Sequence, residues 1–253
     1  MSWMIPRTSF WSIESLTWPT VPFRTLPDIW IMGSLRNSGQ ICSLKTRLLV
    51  SRRLHDELID RVRDLIDSMP VGDPHDPATQ IGPMVTSRQR DIVNGYIEIG
   101  KSEGAQPVVE GGAAASAGRG WFVTPTVFSG VEPGMRIAQE EIFGPVLSVI
   151  SYDDEETAID LANDSSYGLS GAIFTTDIEK GLRVASRIRT GSLELNGNPV
   201  GLRAPVGGVK SSGVGRESGV EGLNGYVEIK SLGLPRDYAS DLQSTGDGLD
   251  LSD

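Results

Sequence analysis

The chain has 253 residues, 38% hydrophobic and 22% charged, with 30 glycines and 15 prolines; that is enough apolar sequence for one large domain or two small ones, and too much for a disordered or collagen-like chain. A formal charge of −10 argues against a nucleic-acid partner and against an anionic membrane surface. The single cysteine, Cys42, excludes an internal disulfide and a cysteine-based zinc site, and with only His55 and His75 a histidine-rich metal site is also excluded, so no metal is expected.

Four of the five tryptophans, Trp3, Trp11, Trp18 and Trp30, fall in the first 30 residues, together with Pro6, Pro19, Pro22 and Pro27. Residues 1–32 show neither helical nor strand periodicity and read as an irregular leader, or as sequence foreign to the rest of the chain. They hold no compact apolar segment after a basic start, so no secretory signal is expected. No stretch approaches the roughly 18 consecutive apolar residues of a membrane span. A lone cysteine fits a reducing, cytoplasmic location.

From residue 45 the pattern becomes orderly. Lys45 to Val50 reads as a strand, and Ser51 is expected to cap a helix running to Met69, with Leu54, Leu58, Val62, Leu65, Ile66 and Met69 on one face and Pro70 ending it. After a loop, Thr86 and Gln89 form a T-x-x-Q capping box for a second helix that carries Ile92, Val93, Tyr96 and Ile97 and stops near Gly104. Gly111 to Gly120 is a small-residue loop. Strand-like runs follow at Phe122 to Phe128, Val146 to Tyr152, Ala172 to Thr175 and Ser192 to Asn196, with helical patterns at Asp154 to Asn163 and Asp177 to Arg189 between them. Strands alternating with amphipathic helices predict an α/β fold with a mostly parallel sheet covered by helices on both faces. Residues 236–253 carry five aspartates against one arginine and read as a flexible acidic tail.

Three clusters offer chemistry. Cys42 stands in Asn37-Ser38-Gly39-Gln40-Ile41-Cys42-Ser43, a polar, glycine-bearing loop before a strand; alone, that fits a partly buried inert thiol as well as a nucleophile. A histidine could reach it only through the fold. In Gln139-Glu140-Glu141-Ile142-Phe143-Gly144-Pro145-Val146, two carboxylates, an aromatic ring and a turn precede an apolar strand. The run from Ala204 to Glu217, APVGGVKSSGVGRE, is either a flexible surface loop or backbone held against a ligand, and it lacks the G-x-x-x-x-G-K-[ST] order of a phosphate-binding loop.

Taken in order, N-S-G-Q-I-C, E-E-I-F-G-P-V, E-L-N-G and A-P-V-G-G-V-K-S-S-G-V-G-R-E resemble the catalytic half of the NAD(P)-dependent aldehyde dehydrogenase superfamily, and DPATQIGPMVT, GWFVTPTVFSGV, ANDSSYGLSGAIFT and ASRIRTGSLELN resemble its connecting segments. The resemblance spans about Gly33 to Pro235. It implies a catalytic domain over residues 33–235, with Cys42 as the nucleophile toward an aldehyde and Glu141 and Phe143 at the nicotinamide–ribose end of NAD or NADP. Asn37, Asn196 and Pro205 are implied as pocket walls.

Departures from the family pattern carry expectations too. Only 41 residues precede Cys42, so the nucleotide-binding domain is expected to be largely missing. With it go the E-L-G-G-K glutamate that acts as base in deacylation and the groups that hold the pyrophosphate. The implied activity is oxidation of a small aldehyde to an acid, impaired in this chain. Family catalytic domains also exchange strands between subunits, which implies a homo-oligomer or association with a full-length paralogue. The alternating, strand-like Gly225 to Leu234 would supply the edge for such a non-catalytic assembly module. A cofactor-independent thiol esterase is the remaining alternative.

Overall fold

The computed structural model of the chain describes the backbone of residues 11–15 and, with their side chains, residues 33–110, 120–201 and 203–235. The strands are β1 (Trp11–Ser15), β2 (Arg47–Ser51), β3 (Gln106–Glu110), β4 (Thr126–Ser129), β5 (Val146–Tyr152), β6 (Ser170–Thr175) and β7 (Ser192–Leu195). The helices are α1 (His55–Asp67), α2 (Ser87–Ser102), α3 (Arg136–Gln139), α4 (Glu155–Asn163), α5 (Ile178–Ala185) and α6 (Gly219–Leu223). Among the described residues one sheet holds seven strands in the order β3-β4-β5-β2-β1-β6-β7, parallel throughout except for the antiparallel pair β3–β4.

Side-chain alternation along these strands divides the core in two. Leu48, Val50, Val127, Leu147, Val149, Ala172 and Phe174 point to one face and meet Leu58, Ile59, Val62 and Ile66 of α1. Leu49, Phe128, Val146, Ile150 and Ile173 point to the other and meet α2 to α5 through residues such as Val93, Ile137, Ile159 and Val184. A strand covered on both faces has no polar side, which is why β2 and β5 read as continuous apolar runs. Each such side chain removed from water contributes about 1.5–3 kcal/mol. The expected mostly parallel sheet with helices on both faces is the observed one.

Local differences from the sequence reading have simple causes. Ser51 does not cap α1: it is the last residue of β2, paired with Tyr152, and its carbonyl accepts from the Leu54 N–H at 2.9 Å. Thr86 does cap α2, accepting from the Gln89 N–H at 3.1 Å, but the Gln89 side chain does not return to close the box. Of Phe122 to Phe128 only the end joins the sheet, because Pro125 has no N–H to give a ladder. The unexpected β3 contains Pro107, tolerated at the sheet edge beside a register shift. Gly225 to Leu234 forms no strand; Tyr226 and Ile229 are 87% and 94% exposed, and alternation without a neighbouring strand makes no ladder.

The irregular reading of residues 1–32 is corrected at Trp11–Ser15, which is β1, parallel to β2 on one side and β6 on the other. A five-residue strand between two others needs no periodic signature of its own. The remainder of that leader, residues 111–119 of the small-residue loop and the acidic tail at 236–253 lie outside the described residues.

Candidate functional site

The segment leading to Cys42 is a tight turn of unusual hand. Asn37, Ser38 and Gly39 take φ values of +48°, +57° and +76° in succession. Left-handed backbone costs a non-glycine residue roughly 1–2 kcal/mol, so it persists only where its surroundings fix it. Here they do. The Gln40 N–H and Nε2 both donate to the Asn37 carbonyl, at 3.0 and 3.1 Å, and Asn37 Nδ2 donates to the Gln40 carbonyl at 3.2 Å. Ser38 Oγ donates to the Gly82 carbonyl at 2.8 Å, and the Val85 N–H donates to Gln40 Oε1 at 2.9 Å. Gly39 lies so close to the Phe143 loop that a Cβ would stand 2.0 Å from the Gly144 oxygen.

The second motif is locked against the first. α3 ends at Gln139, and Glu140 turns away to accept from Arg136 at both oxygens and from the Tyr96 hydroxyl at 2.6 Å. Burial, then the Glu140 carboxylate, pushes the Tyr96 phenol above its usual range. Of the two adjacent carboxylates Glu140 is thus structural, and half-buried Glu141 is the one next to the aromatic turn. Phe143 is itself left-handed, with φ +56°. Gln89 Nε2 holds it there by donating to the carbonyls of Ile142 and Phe143 at 3.1 and 3.2 Å, and Gly144 sits where a Cβ would meet Val93 at 2.5 Å.

Cys42 is exposed, and two clefts open on other residues of its turn. One, of about 590 Å³, is lined by Asn37, Ser38, Gln40, Gly82, Met84 and Phe143 among others, with no lysine or arginine among the described residues of its wall. The other, of about 430 Å³, takes in Ile41 and Ser43 on either side of the cysteine, with Leu44, Lys45, Phe174 and Glu194. Lys45 Nζ and Glu194 Oε1 form an ion pair at 2.7 Å. Asn37 lines the first cleft while its amide braces the turn.

Asn196 and Pro205 are placed differently. Asn196 Oδ1 accepts from the Thr175 N–H at 2.8 Å and its Nδ2 donates to the Thr175 carbonyl at 2.9 Å, so the side chain closes the end of β6. Its neighbours Gly197 and Pro199 line the second cleft, whereas Pro205 lines neither. The glycine-rich run is clamped in part onto the chain's own backbone. A Cβ on Gly191 would meet the Gly207 oxygen at 1.6 Å, the Val209 N–H donates to the Gly168 carbonyl, and the Gly168 N–H donates to Ser212 Oγ. Lys210 Nζ donates to the carbonyls of Asn163 and Ser165 at 2.8 and 2.9 Å, the cation a helix C-terminus favours. Burial first, then the charges of Arg189 and Arg47, lowers the Lys210 pKa.

Neither histidine is assigned to Cys42. His55 engages Asp56 and Ser129 through its two ring nitrogens, at 2.8 and 2.7 Å, and His75 Nδ1 lies 3.0 Å from Asp73. Sequence reasoning missed Gln89, Lys45 and Glu194. The only available sign was Glu194, a charge set between the leucines of a short apolar strand.

The aldehyde dehydrogenase family model matches residues 25–232, beginning inside the stretch read as unlike the family. Geranial dehydrogenase of Castellaniella defragrans is 46% identical over 211 residues, covering 83% of this chain and 43% of that protein. A betaine aldehyde dehydrogenase of Rhizobium etli is 45% identical over 204 residues, covering 80% and 42%. Among solved structures, an aldehyde dehydrogenase of Mycobacterium tuberculosis complexed with NAD+ superposes with a TM-score of 0.83 at 42% identity, over 91% of this chain and 47% of that one. An aldehyde dehydrogenase C mutant of Pseudomonas syringae complexed with NAD+ and octanal gives 0.80 at 38% identity, over 88% and 45%. The chain spans under half the length of these relatives.

Proposed function

The chain belongs to the aldehyde dehydrogenase family, and from that premise we propose that it carries the thiol chemistry of aldehyde oxidation, with Cys42 as nucleophile. The observation that supports this most is an exposed cysteine on a strained turn that is locked to the Phe143 loop and whose other residues line two clefts. Such strain is retained where a reacting group must be held. The Cys42 thiolate attacks the aldehyde carbonyl carbon, and backbone N–H groups at the turn are the donors at hand for the oxyanion. Loss of hydride from that carbon leaves a thioester on Cys42, which water hydrolyses to the acid.

NAD or NADP is the implied cofactor, and supplies the hydride acceptor when bound. One end of it suits the first cleft: Phe143 in its wall offers a ring face, and Glu141, two residues before Phe143, carries a carboxylate that can accept from ribose hydroxyls. The described wall of this cleft holds no cation to meet a pyrophosphate. We therefore assign Glu141 and Phe143 to the nicotinamide–ribose end alone. The second cleft, lined by Ile41 and Ser43 on either side of Cys42 in the chain, is left for the aldehyde's substituent. Thiolate chemistry of this kind needs a reducing compartment, in keeping with a cytoplasmic location.

The test is to mix the chain with a short aldehyde and excess NAD or NADP and follow nicotinamide reduction by absorbance, with Cys42→Ala as control. Reduction that depends on Cys42 is the expected result. A folded, thiol-reactive chain that gives none, but releases p-nitrophenol from an ester in a Cys42-dependent burst, would replace the dehydrogenase reading with the esterase one. A second reading, association with another subunit, is favoured by the exposed Val220, Leu223, Tyr226, Val227, Ile229 and Leu232. Light scattering tests it: a monomer at micromolar concentration would remove it.

A further inference from the structure

The second cleft combines an apolar lining with an internal ion pair. Ile41, Leu44, Ala172, Phe174 and Pro199 supply hydrocarbon, yet Lys45 and Glu194 stand in the same wall with side chains only 14% and 26% exposed. Lys45 is three residues beyond Cys42, and Glu194 is in β7, opposite Ala172 in the ladder, so the pair joins the nucleophile's own segment to the edge of the sheet. A partly buried ion pair set in an apolar cleft wall gains little over an apolar pair of the same volume, which makes stability a poor reason for it. One oxygen of Glu194 is held by Lys45; among the described residues its Oε2 makes no hydrogen bond. A carboxylate accepts at both oxygens, and one left without a donor on ligand binding carries a desolvation cost.

We propose that Glu194, oriented by Lys45, is a specificity-determining residue of this cleft, and that the cleft takes aldehydes carrying a hydrogen-bond donor, a hydroxyl or an ammonium group, on a short apolar linker. The proposal rests on the reading of Cys42 as nucleophile and of this cleft as the aldehyde's. A hydrocarbon aldehyde would displace water from Glu194 Oε2 and return no bond, and sites built to hydrogen-bond a substrate discriminate against analogues that lack the group. An aldehyde ending in a carboxylate would meet like charge at the same oxygen. Arg36 also lines the cleft but is exposed, where water and salt screen it.

The experiment needs neither cofactor nor turnover. An aldehyde reacts reversibly with the Cys42 thiol: the sulfur–carbon bond forms, the thiol hydrogen ends on the former carbonyl oxygen, and nothing is oxidised. The blocked thiol no longer reacts with iodoacetamide, and Cys42 is the only cysteine, so the alkylation rate reports binding directly. The native chain would be titrated with ω-hydroxyaldehydes of three to six carbons, with the matching alkanals, and with 6-oxohexanoate. We expect half-protection by the best hydroxyaldehyde at roughly tenfold lower concentration than its alkanal, as one hydrogen bond to a charged acceptor gives, and weakest protection by the carboxylate. A comparison of 3-aminopropanal with propanal, set beside 3-hydroxypropanal, shows which donor is preferred. Glu194→Leu should erase the advantage, and Glu194→Gln, which keeps an acceptor and the shape, should restore part of it. Protection by alkanal and hydroxyaldehyde alike in the native chain, or an advantage that survives Glu194→Leu, overturns the proposal and leaves Cys42 as nucleophile. If no aldehyde slows alkylation, the reading of Cys42 fails and the proposal falls with it.

Discussion

The turn at Arg36–Ser43 and the run at Pro205–Arg216 look alike as sequence, being glycine-bearing, polar and aperiodic, and they meet opposite surroundings. The first is strained, borders two clefts and leaves its cysteine exposed. The second folds back on Gly168, Gly191 and the carbonyls beyond α4, spending its glycines and its lysine on the protein itself. Glycine permits close approach of backbone to backbone as readily as of backbone to ligand. Which of the two occurs depends on what the fold brings opposite.

The sharpest way to break this comparison is to add a methyl group on each side. Gly191→Ala should have the largest effect, a loss above about 4 kcal/mol or failure to fold, because the clash is with the Gly207 backbone oxygen, which cannot rotate away; urea unfolding would measure it. Gly39→Ala also meets backbone, at Gly144, and adds the penalty of φ +76°. We expect a loss of about 3 kcal/mol, accompanied by a changed rate of Cys42 alkylation. If alkylation kept the native rate, the strained turn would not be what presents the thiol.

Smaller changes sharpen the contrast. Gln89→Met removes two hydrogen bonds to the Phe143 turn, so about 1–2 kcal/mol of stability should go, and NAD should protect Cys42 from alkylation less well. Lys210→Met removes the donor at the C-terminal end of α4 and should cost about 1 kcal/mol with Cys42 alkylation unchanged. An altered Cys42 rate in that variant would mean the two regions are coupled after all.

The smallest effect is with pH. Asp153 beside Arg52, Asp154 accepting from the Thr157 N–H, and Glu156 beside Arg187 all hold their carboxyls below the usual range. Groups with depressed folded-state values contribute stability that is present above the ordinary carboxylate value, about pH 4, and is lost as pH falls through the folded values. Thermal unfolding scans between pH 5 and pH 2 on the native chain and on Glu156→Gln should show a shallower acid slope in the variant.

The family, the alternation of strands and helices, the two-sided apolar strands β2 and β5, and the candidates Cys42, Glu141 and Phe143 were all legible along the chain, because each depends on neighbours within a few residues or on a motif in a fixed order. Gln89 shows where that stops: Thr86-x-x-Gln89 spells a capping box, yet the glutamine's amide went to carbonyls more than fifty residues away. Asn196 stood in a motif and closes a strand end; β1 stood in an aperiodic stretch and lies inside the sheet. Sequence by itself determined the longer strands and helices, β2, β5, β6, α1, α2, α4 and α5, and the motifs that bring candidate chemistry, since propensity and burial pattern are local. Only the tertiary structure decided which glycine meets protein and which lines a cleft, that Glu140 is bound to Arg136, and that Lys45 and Glu194, 149 residues apart, share one wall beside Cys42. Those outcomes are set by contacts between distant segments, and no local pattern encodes them.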